Sequence, residues 1–134
     1  MARVAIMLVG GQDRSEASYG EALAVLGARL DVISIGPIVR KAGASVVVLT
    51  VQTSMGPAHL DGVLEGLGLR LDLAMDILSY GALIYRSSEV DVPPRGVGRL
   101  DAALRSLAEA DPGFEIPGLG NVTTHLQDVS NRQR

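Results

Sequence analysis

The stretch VISIGPIVRKAGASVVVLTV, residues 32–51, decides the fold of this chain. It contains two aliphatic segments, residues 32–35 and 45–51, whose β-branched side chains are typical of strands. The eight residues from Pro37 to Ala44 join them, fewer than the dozen or so that a parallel crossover needs. The connection is therefore either a compact helical turn between parallel strands or a hairpin around residues 41–43 between antiparallel strands.

A strand–helix pattern is repeated on both sides of this stretch. Residues 4–9 form an aliphatic run closed by two glycines, and an amphipathic helix follows, with Asp13 and Glu16 in the positions of a capping box. A second helix begins after a Gly-Pro pair and carries an apolar stripe to Gly68. An offset of 41 residues aligns the two helix ends, which indicates two βαβ units. We predict an α/β fold with a three-layer, Rossmann-like, mostly parallel sheet; the alternative is an α+β ferredoxin-like βαββαβ sandwich.

The second half of the chain is less regular. Residues 70–77 fit both the alternation of a strand and the spacing of a helix, and residues 81–85 are predicted as a last strand. Apolar residues at helical spacing predict a helix over residues 100–108. Because the chain turns polar after Pro117, we predict one domain over residues 1–116 and a loosely held polar C-terminal tail over residues 117–134.

Composition and charge exclude several classes of function. The 134 residues amount to about one domain, and 47% apolar with 20% charged residues is typical of a folded core. A net charge of −3 without a basic run argues against nucleic acid as a partner. The absence of cysteine removes disulfides, thiolate metal sites and thiol nucleophiles. Since the first apolar run is too short for a signal or membrane segment, we expect a cytoplasmic protein with no membrane partner.

Two segments resemble the DsrE/DsrF-like proteins of the sulfur-relay superfamily over about residues 3–85. They are VAIMLVGGQDRSEASYGEALAVLGARLDVISIG, a strand, a polar loop and an Ala/Leu-rich helix, and KAGASVVVLTVQTSMGPAHLDGVLEGL, with a small-residue turn before a strand and a helix. The resemblance implies assembly into a homo-oligomer, a trimer or a hexamer. Two departures stand against it: the helix between the second and third strands is missing, and Val51 occupies the position of the sulfur-carrying cysteine. Sulfur transfer needs a thiolate, so that activity is excluded.

Two groups of polar residues follow predicted strands and are expected to share one crevice. In the first group, a helix N-terminus and the Arg14 guanidinium favour an anion. In the second, His59 lies in the first turn of the second helix. Because the carboxyl ends of parallel strands meet at one edge of a sheet, both groups are expected there. The predicted ligand-binding residues are Gly10, Gly11, Gln12, Asp13, Arg14, Gln52, Thr53, Ser54 and His59.

Three functions are compatible with these features. The favoured one is an oligomeric DsrE-like subunit without redox chemistry that binds a small anionic ligand or a partner protein. The alternatives are a small enzyme that uses His59 or Asp13 as acid or base on a small acid, and a ferredoxin-like oligomeric scaffold or regulatory domain. Asp72 and Asp76 could form a carboxylate pair, although their apolar neighbours predict a solvated face instead. With two histidines and no ligand spacing, we expect no metal and no cofactor.

Overall fold

The connection that the sequence leaves open is a hairpin in the computed structural model, which describes residues 1–88 and 90–132. Residues 39–41 pair antiparallel with residues 44–46, so that Ala42 and Gly43 alone form the turn. Their φ angles are +52° and +82°, as the two central residues of a type I′ turn require. The elements in chain order are β1 (Ala2–Gly11), α1 (Glu16–Gly27), β2 (Asp31–Ile35), β3 (Val39–Lys41), β4 (Ala44–Thr53), α2 (Pro57–Leu71), β5 (Ala74–Tyr80), β6 (Tyr85–Arg86), β7 (Asp91–Val92), α3 (Asp101–Ala110), β8 (Glu115–Ile116), β9 (Gly120–Asn121) and α4 (Val122–Arg132).

All strand pairs of the main sheet are antiparallel within the described residues. The order is β2-β4-β1-β5, and β3 continues along the edge of β4 beyond the end of β2. Helices α1 and α2 each join two parallel strands that are separated by a third strand, which is the βαββαβ connectivity of the alternative topology. The predicted Rossmann-like parallel sheet is therefore wrong. The prediction fails because the segment after β2 is too short for a crossover between parallel strands and closes a hairpin instead.

The sheet is nevertheless covered on both faces, as the three-layer prediction requires. Helices α1 and α2 pack on one face, against Val47, Leu49 and Val51 of β4, while α3 and the start of α4 pack on the other, against Val46 and Val48. A strand with helices on both sides is apolar at consecutive positions whichever way its neighbours run. The continuous run in β4 therefore reflects its two covers and carries no information about strand direction.

Helix α3 fills a gap in the edge of the sheet. Between β2 and β3, the chain leaves Val48 of β4 without a strand partner for its N–H, and the buried Ser106 hydroxyl accepts that hydrogen bond at 2.9 Å. The same hydroxyl donates to the Pro37 carbonyl oxygen at 2.8 Å. The approach is so close that a Cβ on Gly36 would lie 2.2 Å from the Ser106 carbonyl oxygen. Glycine is therefore required at position 36.

The C-terminal residues are ordered against this second face. Residues 115–121 form the β8–β9 hairpin, and α4 begins at the fully buried Val122. Further along α4, the His125 ring nitrogen Nε2 lies 3.0 Å from the Gly98 carbonyl oxygen. The segment predicted as a loosely held tail therefore contains a hairpin and a helix, because a polar helix with a few apolar residues suffices to cover α3; residues 133–134 of that prediction lie outside the described residues. The predicted helix over residues 100–108 is confirmed by α3.

The ambiguous residues 70–77 divide between two elements. Helix α2 runs three residues past its predicted end at Gly68, and Asp72 closes it in a left-handed conformation with φ of +55°. Strand β5 then occupies residues 74–80, earlier than the predicted strand over 81–85. In the part of the chain that is described, no helix combines the length and apolar character needed to cross a membrane.

Candidate functional site

The two predicted groups of site residues lie at opposite ends of the sheet. In the β1–β4 ladder, Ala2 is opposite Thr53 and Gly11 is opposite Ala44. Residues 10–14 therefore follow one end of β1, whereas residues 52–59 lie beyond its other end, about 30 Å away for a ten-residue strand. The single shared crevice is wrong, because it depended on parallel strands whose carboxyl ends meet.

In the first group, Arg14 makes hydrogen bonds that stabilise the fold. The Arg14 guanidinium donates to the backbone carbonyl oxygens of Leu71 and Asp72 at the end of α2, and its Nε donates to the Ser18 hydroxyl at 2.9 Å. A cation at the C-terminus of a helix is stabilised by the helix dipole. Arg14 therefore holds α2 in place, and three of its five N–H donors are used within the fold.

The turn before α1 also differs from the prediction. The N-cap of α1 is Ser15, whose hydroxyl accepts a hydrogen bond from the Ser18 N–H at 3.1 Å, so Asp13 is not the cap. Arg40 donates to the carbonyl oxygens of Gln12 and Arg14, and these two bonds fix the turn from the side of β3.

The second group is mostly solvent-exposed. Gln52, Ser54 and His59 are exposed, whereas Thr53 is buried and its hydroxyl accepts a hydrogen bond from the Met55 N–H at 3.1 Å. His59 and Asp13 lie at opposite ends of the sheet and cannot act on one substrate together. Whether either residue is an acid or a base stays a prediction.

A groove lies along the edge of β5, where the sheet ends. We call it the β5 groove; it has a volume of about 850 Å³. Its floor is the strand itself, one wall is the face of α2 that carries Asp61 and Glu65, and the other wall is the segment from residue 90 to residue 100. The lining residues are Met7, Asp61, Glu65, Gly68, Leu69, Asp72, Leu73, Ala74, Met75, Asp76, Ile77, Val90, Asp91, Pro94, Arg95 and Leu100.

The β5 groove is strongly acidic. Its charged residues are five carboxylates and one guanidinium, namely Asp61, Glu65, Asp72, Asp76, Asp91 and Arg95. Arg95 is already paired with Asp91, at 3.0 Å between Nε and Oδ2. The pKa of Asp76 is raised above its usual 3.8 because partial burial removes water from the carboxylate. Across residues 1–88 and 90–132, no three His, Asp or Glu side chains are grouped so that they could hold a metal ion.

Sequence reasoning found only part of this groove. It singled out Asp72 and Asp76 as a possible carboxylate pair on one face, but Asp72 caps a helix and only Asp76 belongs to a strand. It missed Glu65 and the carboxylate wall of α2. The signal was present, because Asp61 and Glu65 are four residues apart and so lie on one helix face. That this face borders a sheet edge follows only from the strand order.

No protein-family model matches the chain, and no curated protein sequence matches it either. Its fold is similar to that of HPPK-DHPS from Plasmodium falciparum: a variant with STZ-DHP has a TM-score of 0.77 at 8% identity, over 99% of this chain and 44% of that chain. The wild-type HPPK-DHPS with pteroate has a TM-score of 0.71 at 10% identity, over 99% and 43% of the two chains. An ACT domain protein from Streptococcus pneumoniae has a TM-score of 0.43 at 21% identity, over 57% of this chain and 86% of that chain.

These comparisons concern the fold alone. The chain spans less than half the length of the HPPK-DHPS chains, and 8–10% identity carries no activity from one protein to another. The similarity to HPPK-DHPS does extend over nearly the whole chain, so it includes the C-terminal helices α3 and α4. The resemblance to DsrE/DsrF-like proteins and the expected homo-oligomer stay predictions.

Proposed function

We propose that this chain is a binding module that holds a positively charged ligand in the β5 groove. The observation that carries the proposal is the concentration of five carboxylates around one groove in a chain whose net charge is only −3. A cation entering the groove gains Coulomb attraction from both walls, and a concave acidic surface also attracts cations from a distance.

The raised pKa of Asp76 also favours a positively charged ligand. Partial burial removes water from its carboxylate, and this loss of hydration raises its pKa; within residues 1–88 and 90–132, no cation forms an ion pair with it. A bound ammonium or guanidinium group would supply the missing counter-charge. Ligand binding should therefore lower the pKa of Asp76 and release any proton it carries.

An anionic ligand, as expected from the sequence, is not favoured by this geometry. Arg14, which was to bind the anion, donates to the end of α2, and Arg95 in the β5 groove is paired with Asp91. The expectation of a binding module without redox chemistry is retained in the proposal, since the chain has no cysteine.

Isothermal titration calorimetry with spermidine tests the proposal. We expect saturable binding at low ionic strength that weakens as salt is added. Glu65→Gln and Asp76→Asn should each weaken binding about two- to fivefold, as expected for partly exposed charge pairs. Glu21→Gln is the matched control, because Glu21 is exposed on α1 away from the groove. Equal loss in the control and the groove variants, or no binding at low salt, would overturn the proposal.

A further inference from the structure

The floor of the β5 groove is an open strand edge. Strand β5 pairs with β1 on one side, and no described residue forms a ladder with its other side along residues 74–77. In an antiparallel pair, alternate residues turn their N–H and C=O groups away from the partner strand. Backbone donors and acceptors of β5 therefore face into the groove, where another strand could pair with them.

The groove places carboxylates on both faces of any strand that is added at this edge. Asp76 is opposite Met7, whose side chain packs on the α3 face of the sheet, so Asp76 lies on that face. Glu65 belongs to α2, which covers the other face. Successive side chains of an added strand point to the two faces alternately, so both sets would meet a carboxylate.

We propose that the ligand of the β5 groove is an extended, lysine- or arginine-rich peptide segment of a partner protein, which binds as an added strand beside β5. The inference rests on the proposed function and specifies the ligand further. Main-chain hydrogen bonds to β5 provide affinity, and the acidic walls select the charge of the segment. A polyamine would satisfy the carboxylates but could not match the alternating donors and acceptors of the strand edge.

A second copy of this chain does not fit the groove as well. The edge strands of its described main sheet are β5 itself, which carries the same carboxylates, β2, with the sequence Asp-Val-Ile-Ser-Ile and no basic residue, and the three-residue β3. The basic side chains of β3 are already engaged: Arg40 donates to backbone carbonyl oxygens of the turn before α1, and Lys41 pairs with Asp101 at 3.2 Å. Charge complementarity therefore favours a basic segment from a different protein.

Fluorescence anisotropy with labelled peptides tests the proposal on the full chain. The probe is a lysine hexapeptide amide with fluorescein on its N-terminus, which places lysine on both faces of an added strand, and its control is the same peptide with the four inner backbone nitrogens methylated, which keeps the charge but removes the strand donors. We expect saturable binding of the probe and at least about tenfold weaker binding of the methylated peptide, since each lost backbone bond weakens binding several-fold. Glu65→Gln should weaken binding of the probe about two- to fivefold, whereas Glu21→Gln should leave its binding unchanged.

Amide hydrogen exchange provides a second readout on the same complex. The outward-facing amides within residues 74–77 should exchange more slowly when the probe is bound and should be unaffected by spermidine. Equal binding of the methylated peptide, or unchanged exchange at saturation, would overturn strand addition. If spermidine still binds while the probe does not, strand addition fails and the proposed function stands. If neither binds, both fail.

Discussion

Replacing Ser106 by alanine removes the hydroxyl that connects α3 to the edge of the sheet. The Val48 N–H then loses its partner in a fully buried position, at a cost of about 1–3 kcal/mol. The Pro37 carbonyl also loses its donor, but Pro37 is exposed, so water can replace that bond at a cost within about 1 kcal/mol. The expected loss in the free energy of unfolding is therefore about 1–4 kcal/mol. For a domain of this length, that corresponds to a fall in Tm of about 4–14 °C.

Urea denaturation followed by circular dichroism measures this loss, with Ser130→Ala as the control. Ser130 is exposed on α4, and its replacement should change stability by no more than about 0.5 kcal/mol. Gly36→Ala probes the same junction independently, because its Cβ would collide with the Ser106 backbone and force α3 away from the sheet. If Ser106→Ala behaved like the control, the proposed role of α3 in closing the gap would be refuted.

Three further changes test the geometry around the groove. Gly68→Ala places a Cβ 2.4 Å from the Leu73 carbonyl oxygen and should lower the free energy of unfolding by at least about 1–3 kcal/mol. Gly66→Ala, on the same helix, meets no neighbouring atom and should raise the free energy of unfolding by about 0.5–1 kcal/mol. The same urea titration measures both changes. Asp76→Asn should raise Tm near pH 7, because the partly buried ionised carboxylate destabilises the fold at pH values above its raised pKa. This gain should shrink as the pH falls from the raised pKa of Asp76 towards the usual value of 3.8; equal Tm gains at all pH values would contradict this account. Arg14→Ala should lower the free energy of unfolding by about 1–2 kcal/mol, because the end of α2 loses its hydrogen-bond donors. Arg14→Lys keeps the charge but lacks the two parallel N–H donors of the guanidinium, so it should recover less than half of this loss. Full recovery by lysine would show that the charge alone is sufficient.

The local elements of this fold could be predicted from the sequence, but their arrangement could not be derived from the strongest pattern. Helix α3 and most of α1 and α2 follow from apolar spacing. The direction of β4 relative to its neighbours depended on the length of one eight-residue connection, and the apolar run of residues 45–51 suggested the opposite answer. That run is two-sided because α3 covers the second face, and the packing of α3 on β4 is a contact between residues far apart in the chain.

The candidate site was less predictable for the same reason. A site at the carboxyl ends of parallel strands is a property of parallel sheets, so the crevice around Arg14 and His59 disappeared with the topology. The β5 groove combines Glu65 from helix α2, Asp76 from strand β5 and Asp91 from the short strand β7. These residues come together only because β5 is an edge strand. What the sequence does contain is the charge, since each carboxylate of the groove can be read from it.

Locating the bound ligand by NMR tests the central claim most directly. In a titration of the isotope-labelled full chain with spermidine, we expect the amide shift changes to cluster at residues 61–77 and 90–100, which surround the β5 groove. Changes confined to residues 10–14 or 52–59 would place the site at an end of β1 and would contradict the account.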